Sequence, residues 1–334
     1  MIVTLLKRCY RALTFAQWRE TSKQLQSKGI LGMNRRNVGY ISRYNSRDLF
    51  PLVDNKLLTK NLAIEHRLTV PELLHVVSIQ HQVNGVVNAL KKEQGFCIKP
   101  AKGSGGKGIL VVTKVESGVF QKSNGQIITD LDVQRHLSNI LAGLFSLGGA
   151  TDVAMVEALM VVDPRLTRYS FEGVPDIRVI VFCGVPVMAM LRLACKASHG
   201  KANLHQGAIG VGINLANGCA INAVQHDLPV TLHPDTKAQL MELQLDNWRG
   251  FLELACACYD MTGLGYLGVD LVMDANHGPT MLELNARPGL SIQIANNTGL
   301  LTRLQLVEST KKISRMTASE RVDFAMKHFG VFEP

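Results

Sequence analysis

The chain of 334 residues is 46% hydrophobic and 19% charged, a balance that excludes an intrinsically disordered protein and leaves room for one large domain or two to three lobes. Its formal net charge of +9 is unevenly placed: residues 1–70 hold 13 Lys and Arg against 4 Asp and Glu, whereas the remaining 264 hold 23 of each. That surplus points to an acidic partner for the first fifth (an anionic membrane surface, a partner protein, nucleic acid or the chain's own acidic cleft) or to a solvated helix face; nucleic acid is the disfavoured member of that set.

No apolar run is long enough to span a membrane, because VIVFCGVPVMAML is broken by Gly184 and Pro186. Seven cysteines, an odd number, lie in apolar contexts as free thiols of a reducing compartment do, and Cys256 and Cys258 lack a second pair for zinc. The opening MIVTLLKRCYRALTF carries its charges after the apolar stretch and has no small-residue cleavage site, so it does not read as a signal peptide. A cytoplasmic protein is expected, peripheral at the membrane at most.

In chain order, residues 1–28 read as a helix, with Ile2, Leu5, Leu6, Leu13 and Trp18 set against basic residues. GMNRRNVGYISRYNSRDLFP reads as irregular. Asp54 is placed to cap a helix over NKLLTKNLAIEHRL with Leu57, Leu58 and Leu62 inward, and Ser78 to cap another running to Gln94. FCIKP and ILVVT read as strands around AKGSGGKG, followed by a helix near 131–147 and three strands, DVAMVEALM, PDIRVIVFCG and VPVMAMLRLA. A Gly- and Asn-rich loop, KANLHQGAIGVGINLANG, precedes a helix expected from Pro234 to Met261, and GVDLVMD and TMLELNA form a hairpin. The class is α+β, with antiparallel sheets and helices on their outer faces.

Four constellations carry chemistry. Gly103, Gly105 and Gly108 formally satisfy G-x-G-x-x-G, but a β-branched strand follows instead of a helix, so a dinucleotide fingerprint fails on context; Lys107 is followed by Gly108, so a Walker A loop fails too. A Gly-rich hairpin fits a flap over nucleotide phosphates, although glycines in a plain hairpin would look similar. Lys99 shares a strand face with Cys97 and, on an otherwise buried strand, must meet a charge. Glu157, with the backbone of Ala158 and Leu159, offers an acceptor and donors for an adenine edge. In MLELNARPGL, Glu283, Asn285 and Arg287 alternate with Leu282, Leu284 and Ala286, so the polar three share a face. Asp270 lies on the partner strand, and two carboxylates with an amide oxygen suit Mg²⁺. A wet outer face is the plainer reading, but the acids would repel without positive charge, which Arg178, Arg192 and Arg287 can supply. His199 and His205 read as surface residues of a polar loop.

The order of these motifs resembles the ATP-grasp superfamily, and within it the glutamate-ligase-like branch related to ribosomal-protein S6 modification enzymes. The resemblance covers roughly residues 50 to 300. It implies a basic helical or irregular extension over 1–50 in place of the usual pre-grasp domain of about one hundred residues. It further implies an ATP-grasp domain over 51–310, with a smaller lobe at about 60–150 carrying the flap and a lobe at 151–300 carrying the metal site, then a C-terminal helix in 311–334. By that likeness Lys56 and Lys99 bind phosphates, Gly103, Ser104, Gly105, Gly106, Lys107 and Gly108 close over the γ-phosphate, and Glu157, Ala158 and Leu159 hold adenine. Asp163, with Glu172 as its competitor, takes the ribose. Asp270, Glu283 and Asn285 hold two Mg²⁺, for which Mn²⁺ substitutes, and Arg192, Asn203 and Arg178 act at the transferred phosphate. The implied activity is ATP-dependent joining of a small-molecule or peptide carboxylate to an amine through an acyl phosphate, glutamate being one such substrate; the alternative is a kinase acting on a sugar or polyol.

Overall fold

The computed structural model describes residues 17–103 and 105–331. Its strands, in chain order, are β1 (Leu73–Val77), β2 (Phe96–Pro100), β3 (Leu110–Val112), β4 (Lys114–Glu116), β5 (Val119–Gln121), β6 (Ile127–Ile128), β7 (Ala154–Ala158), β8 (Asp176–Phe182), β9 (Val185–Leu193), β10 (Ile209–Ile213), β11 (Ala220–Gln225), β12 (Leu228–Pro229), β13 (Tyr266–Asp274) and β14 (Gly278–Asn285). They form a four-stranded sheet ordered β1-β7-β2-β3, a seven-stranded sheet ordered β12-β11-β10-β9-β8-β13-β14 and a small sheet β4-β5-β6, antiparallel throughout.

Strand β2 shows how the four-stranded sheet is built. Phe96 and Ile98 point into a core shared with Val83, Val87 and Leu90 of the helix Val83–Leu90 and Val133, Leu137 and Ile140 of the helix Asp130–Leu141. Cys97 and Lys99 therefore face the other way, beside Glu157 of β7. The helix Asp130–Leu141 starts in a capping box: Thr129 Oγ1 accepts from the Asp132 amide while the Asp132 carboxylate accepts from the Thr129 amide at 2.9 Å. In the seven-stranded sheet β9 and β13 are buried along their whole length, and the helices Trp248–Thr262 and Ala318–Phe329 pack on the sheet and on each other.

Several elements differ from the sequence expectation. Residues 32–51, expected to be irregular, are mainly helical: Met33–Arg35, a π-helical turn Arg36–Ile41 and Ser42–Tyr44 run together. Burial of Tyr40 and Ile41, with Tyr44 edge-on to Phe182, fixes this polar stretch against the sheet. The helix Lys56–Glu65 is capped by Asn55, whose side chain accepts from the Leu57 and Leu58 amides, and not by Asp54, which ends the preceding turn. Its buried residues are Thr59, Lys60 and Ala63; Leu58 is exposed. Ser78 follows β1, an unexpected strand, and the next helix begins only at Val83. IGVGI, placed in a loop by its glycines, is β10, fully buried. The long helix starts at Trp248, not Pro234. Of the expected helix 1–28, residues 17–27 are helical and exposed throughout; residues 1–16 lie outside the described residues. The six described cysteines are free thiols, and no helix among the described residues is long and apolar enough to cross a membrane.

Candidate functional site

The register of the large sheet lines up a polar row across four strands. Arg192 on β9 pairs with Asp176 on β8, Arg178 of β8 pairs with Asp270 on β13, and Asp270 pairs with Glu283 on β14. The alternation D-x-R on β8 puts Asp176 and Arg178 on one face, and L-x-L-x on β14 does the same for Glu283 and Asn285. Together with Lys99 and the flap residues Gly105 and Gly106 from the smaller sheet's side, this row borders a cleft of about 510 Å³. The rim opposite the flap is formed by Asn203 and His205 of one loop and by Arg287 and Ser291 of another.

Asp270 is the electrostatic centre. Arg178 donates from Nε to Oδ1 at 2.7 Å and from Nη2 to Oδ2 at 2.6 Å, and Arg192 Nη2 lies 2.8 Å from Oδ2. Burial alone would raise its pKa, but the two guanidiniums hold the carboxyl far below the usual carboxylate range. Arg192 also donates from Nε to Asp176. Burial, reinforced by the charge of Asp270, pushes the Asp176 carboxyl up to about 7 against the pull of Arg192.

Lys56 ties the flap to this floor, donating to the Gly103 carbonyl at 2.8 Å with its Nζ 3.7 Å from Glu283 Oε2. The other foot of the flap is held where His136 Nε2 meets the Gly108 carbonyl at 2.9 Å. At Gly108, φ is +75° and a Cβ would fall 2.5 Å from the Phe145 ring, so no other residue fits without displacement. Behind Lys99 lies a buried ion triad: Glu157 receives Lys99 through Oε2 and Lys60 through Oε1, the latter at 2.7 Å. Burial pulls the Lys60 ammonium down to about 8 despite Glu157; at Lys99 burial pulls the same way, but the charge and hydrogen bond of Glu157, joined by Cys97 and Glu283, together outweigh it and raise the pKa.

Of the expected site residues, the cleft brings together Lys56, Lys99, Gly105, Gly106, Arg178, Arg192, Asn203, Asp270, Glu283 and Asn285. Gly103 and Gly108 form the feet of the flap, Lys107 is exposed, and Ser104 lies outside the described residues. Glu157 borders a narrow recess continuous with the cleft through Lys56, Lys99 and Glu283. Ala158 gives its amide to the Glu72 carbonyl at 2.9 Å. Asp163 stands apart from the cleft: it caps the turn Pro164–Thr167 and is paired with Arg165, which occupies its lone pairs. Glu172 is exposed on a positive-φ turn, also away from the cleft lining. Arg287 reaches not to Asp270 but to Asp54, at 3.1 Å, and lies over the Phe50 ring.

Sequence reasoning passed over Asp176, Lys60 and the cleft position of His205. The period of two in D-I-R would have placed Asp176 beside Arg178. Nothing local marks Lys60, whose partner Glu157 is remote in the chain.

A family model described as sugar-transfer associated ATP-grasp matches residues 35–309. Among solved structures the chain is similar to the ATP-grasp ligase PsnB in complex with a minimal precursor, at 13% identity over 84% of this chain and 63% of that one with a TM-score of 0.43. It is also similar to the D-cycloserine synthetase DcsG, at 16% identity over 85% and 73% with a TM-score of 0.41, and to the D-alanine-D-alanine ligase from Coxiella burnetii, at 12% over 83% and 59% with a TM-score of 0.39. It spans about three fifths of the length of PsnB. No curated protein matches the sequence. The matched span includes every strand of both large sheets and the whole polar row: the fold is the ATP-grasp fold, and the chain belongs to the sugar-transfer associated ATP-grasp family.

Proposed function

We propose that the protein is an ATP-dependent ligase joining a carboxylate to an amine, with ADP and phosphate as by-products. The observation that carries this reading is the row Arg192–Asp176–Arg178–Asp270–Glu283 lying on a cleft floor opposite a glycine flap. Such a floor offers cations where phosphoryl charge develops and acids where metal ions neutralise a polyphosphate.

The donor set fits Mg²⁺. Glu283 is 40% exposed at its side chain and can turn to a cation, Asn285 contributes an amide oxygen, and Asp270, 2% exposed, keeps a lone pair on Oδ1, which accepts a single bond from Arg178. Mg²⁺ held by these three would neutralise the β- and γ-phosphates. Lys99 and Lys56 would bind phosphate oxygens, Lys99 exchanging part of its contact with Glu157 for them. Arg178 and Arg192 fix Asp270 and present N–H groups to the transferred phosphoryl group. The substrate carboxylate oxygen forms its bond to the γ-phosphorus as the bond to the β-phosphate oxygen breaks, and ADP leaves with the electron pair. The amine then attacks the acyl carbon and phosphate departs. The residues supply mainly position and charge neutralisation.

Glutamate as a substrate belongs to this proposal, as does docking of the basic N-terminal segment on anionic lipid. A second reading, transfer to a sugar hydroxyl that ends at phosphorylation, is favoured by the family's association with sugar transfer. The test is ATP–Mg²⁺ turnover with pooled amino acids, carboxylates and sugars, read by phosphate release and mass spectrometry. Free phosphate with a product lighter by one water than its two substrates supports the ligase. A phosphorylated product transfers the case to the kinase, and no turnover in any pool overturns both.

A further inference from the structure

The three acids of the cleft are held differently. Asp270 is gripped through both oxygens, and Glu283 stands half exposed beside Lys56. Asp176 is anchored through Oδ1 to Arg192, and its Oδ2 has no hydrogen-bond partner among the described residues although the side chain is only 14% exposed. A carboxylate oxygen left unpaired on the cleft lining is poised to accept a hydrogen bond from whatever enters the cleft.

Its place in the sheet says what would enter there. In the order β10-β9-β8-β13-β14, the acids suited to metal lie on β13 and β14. On the opposite side, Arg192 pairs with Gly210 of β10, and a Cβ on Gly210 would sit 2.7 Å from the Leu204 side chain, so the loop carrying Asn203 and His205 lies directly against that edge of the row. Asp176 is thus the acid on the loop side, with Arg178 between it and the pairing position of Asp270.

We propose that Asp176 Oδ2 is the proton acceptor for the incoming amine, a proposal that rests on the ligase reading. As the nitrogen bonds to the acyl carbon, the C–O bond to phosphate breaks with its electron pair leaving on phosphate, and the N–H proton passes to Oδ2. Arg192 holds Oδ1, so the carboxylate cannot rotate its free oxygen away.

The test compares wild type and Asp176→Asn with ATP, Mg²⁺ and pooled amino acids, dicarboxylates and sugar acids, using two nucleophiles. Hydroxylamine is largely unprotonated at neutral pH and traps an acyl phosphate without a base; an amino-acid amine needs one. Amide formation is expected to fall by about 100-fold or more, and hydroxamate formation by no more than about 3-fold. Equal loss of both would make Asp176 a support for Arg192 and overturn the proposal, as would an unchanged amide rate. Wild type yielding no hydroxamate overturns the ligase reading itself, a result distinguishable because it involves no variant. ADP binding and the thermal midpoint report whether Asp176→Asn keeps its fold; should it not, Asp176→Glu takes its place in the two-nucleophile comparison, where selective loss of the amide again supports the proposal and equal loss again overturns it.

Discussion

Residue by residue, the cleft separates groups that shape it from groups that would act in it. Arg178 and Arg192 shape it by holding Asp270, which keeps one lone pair for a cation, whereas Glu283 has one distant cation and a half-exposed side chain. Glu283→Gln is therefore expected to reduce ATP turnover to background while circular dichroism and the thermal midpoint stay at wild-type values; unchanged turnover would remove Glu283 from the metal set. Gly108→Ala should behave in the opposite way. A left-handed backbone costs a non-glycine residue about 1–2 kcal/mol, and crowding against Phe145 adds about as much again. Its midpoint should drop, and KM for ATP should rise as the flap foot shifts; retention of both would show that Phe145 yields freely.

The elements differ in how plainly the sequence announces them. Strands β8 and β14 were legible because burial on one face and chemistry on the other leave a period of two, and the tight hairpin between β13 and β14 brings Asp270 opposite Glu283. Strand β10 was not, because Gly210 and Gly212 read as loop residues, yet a Cβ at Gly212 would lie 2.4 Å from the Ala295 carbonyl oxygen; the glycines admit a neighbouring segment. The helix Lys56–Glu65 misled in a different way. Its leucines suggested the inward face, but Lys60 is buried because Glu157 on β7 compensates it, a long-range fact no local pattern contains. That triad yields an energetic prediction. Glu157→Gln would leave two buried ammoniums facing one another and should cost about 3–5 kcal/mol by urea unfolding. Lys60→Met should cost far less, since it removes a desolvated charge and leaves Glu157 paired with Lys99. Equal losses in the two variants would contradict this assignment of charges.

Across the whole molecule, the charge surplus of the first fifth divides at Gly29. Residues 17–28 are exposed, but from Gly29 onward the chain is tied in: the Leu301 amide donates to the Gly29 carbonyl at 2.9 Å, the Leu31 amide to Gln293 Oε1 at 2.8 Å, and Tyr40 and Ile41 enter the main core. Deleting residues 1–28 should weaken retention on anionic vesicles; equal retention with and without the segment would exclude lipid as its partner. The flap carries a consequence for time. Lys56 fastens one foot at Gly103 and His136 the other at Gly108, so Gly105 and Gly106 lie on a short span between two held ends. Rearrangement of so short a span belongs to nanoseconds to microseconds, whereas enzymes commonly turn over about ten times a second. The flap should thus equilibrate many thousands of times within each catalytic cycle, so its opening is too fast to set the rate, and the pace of turnover is left to chemistry or to the departure of products.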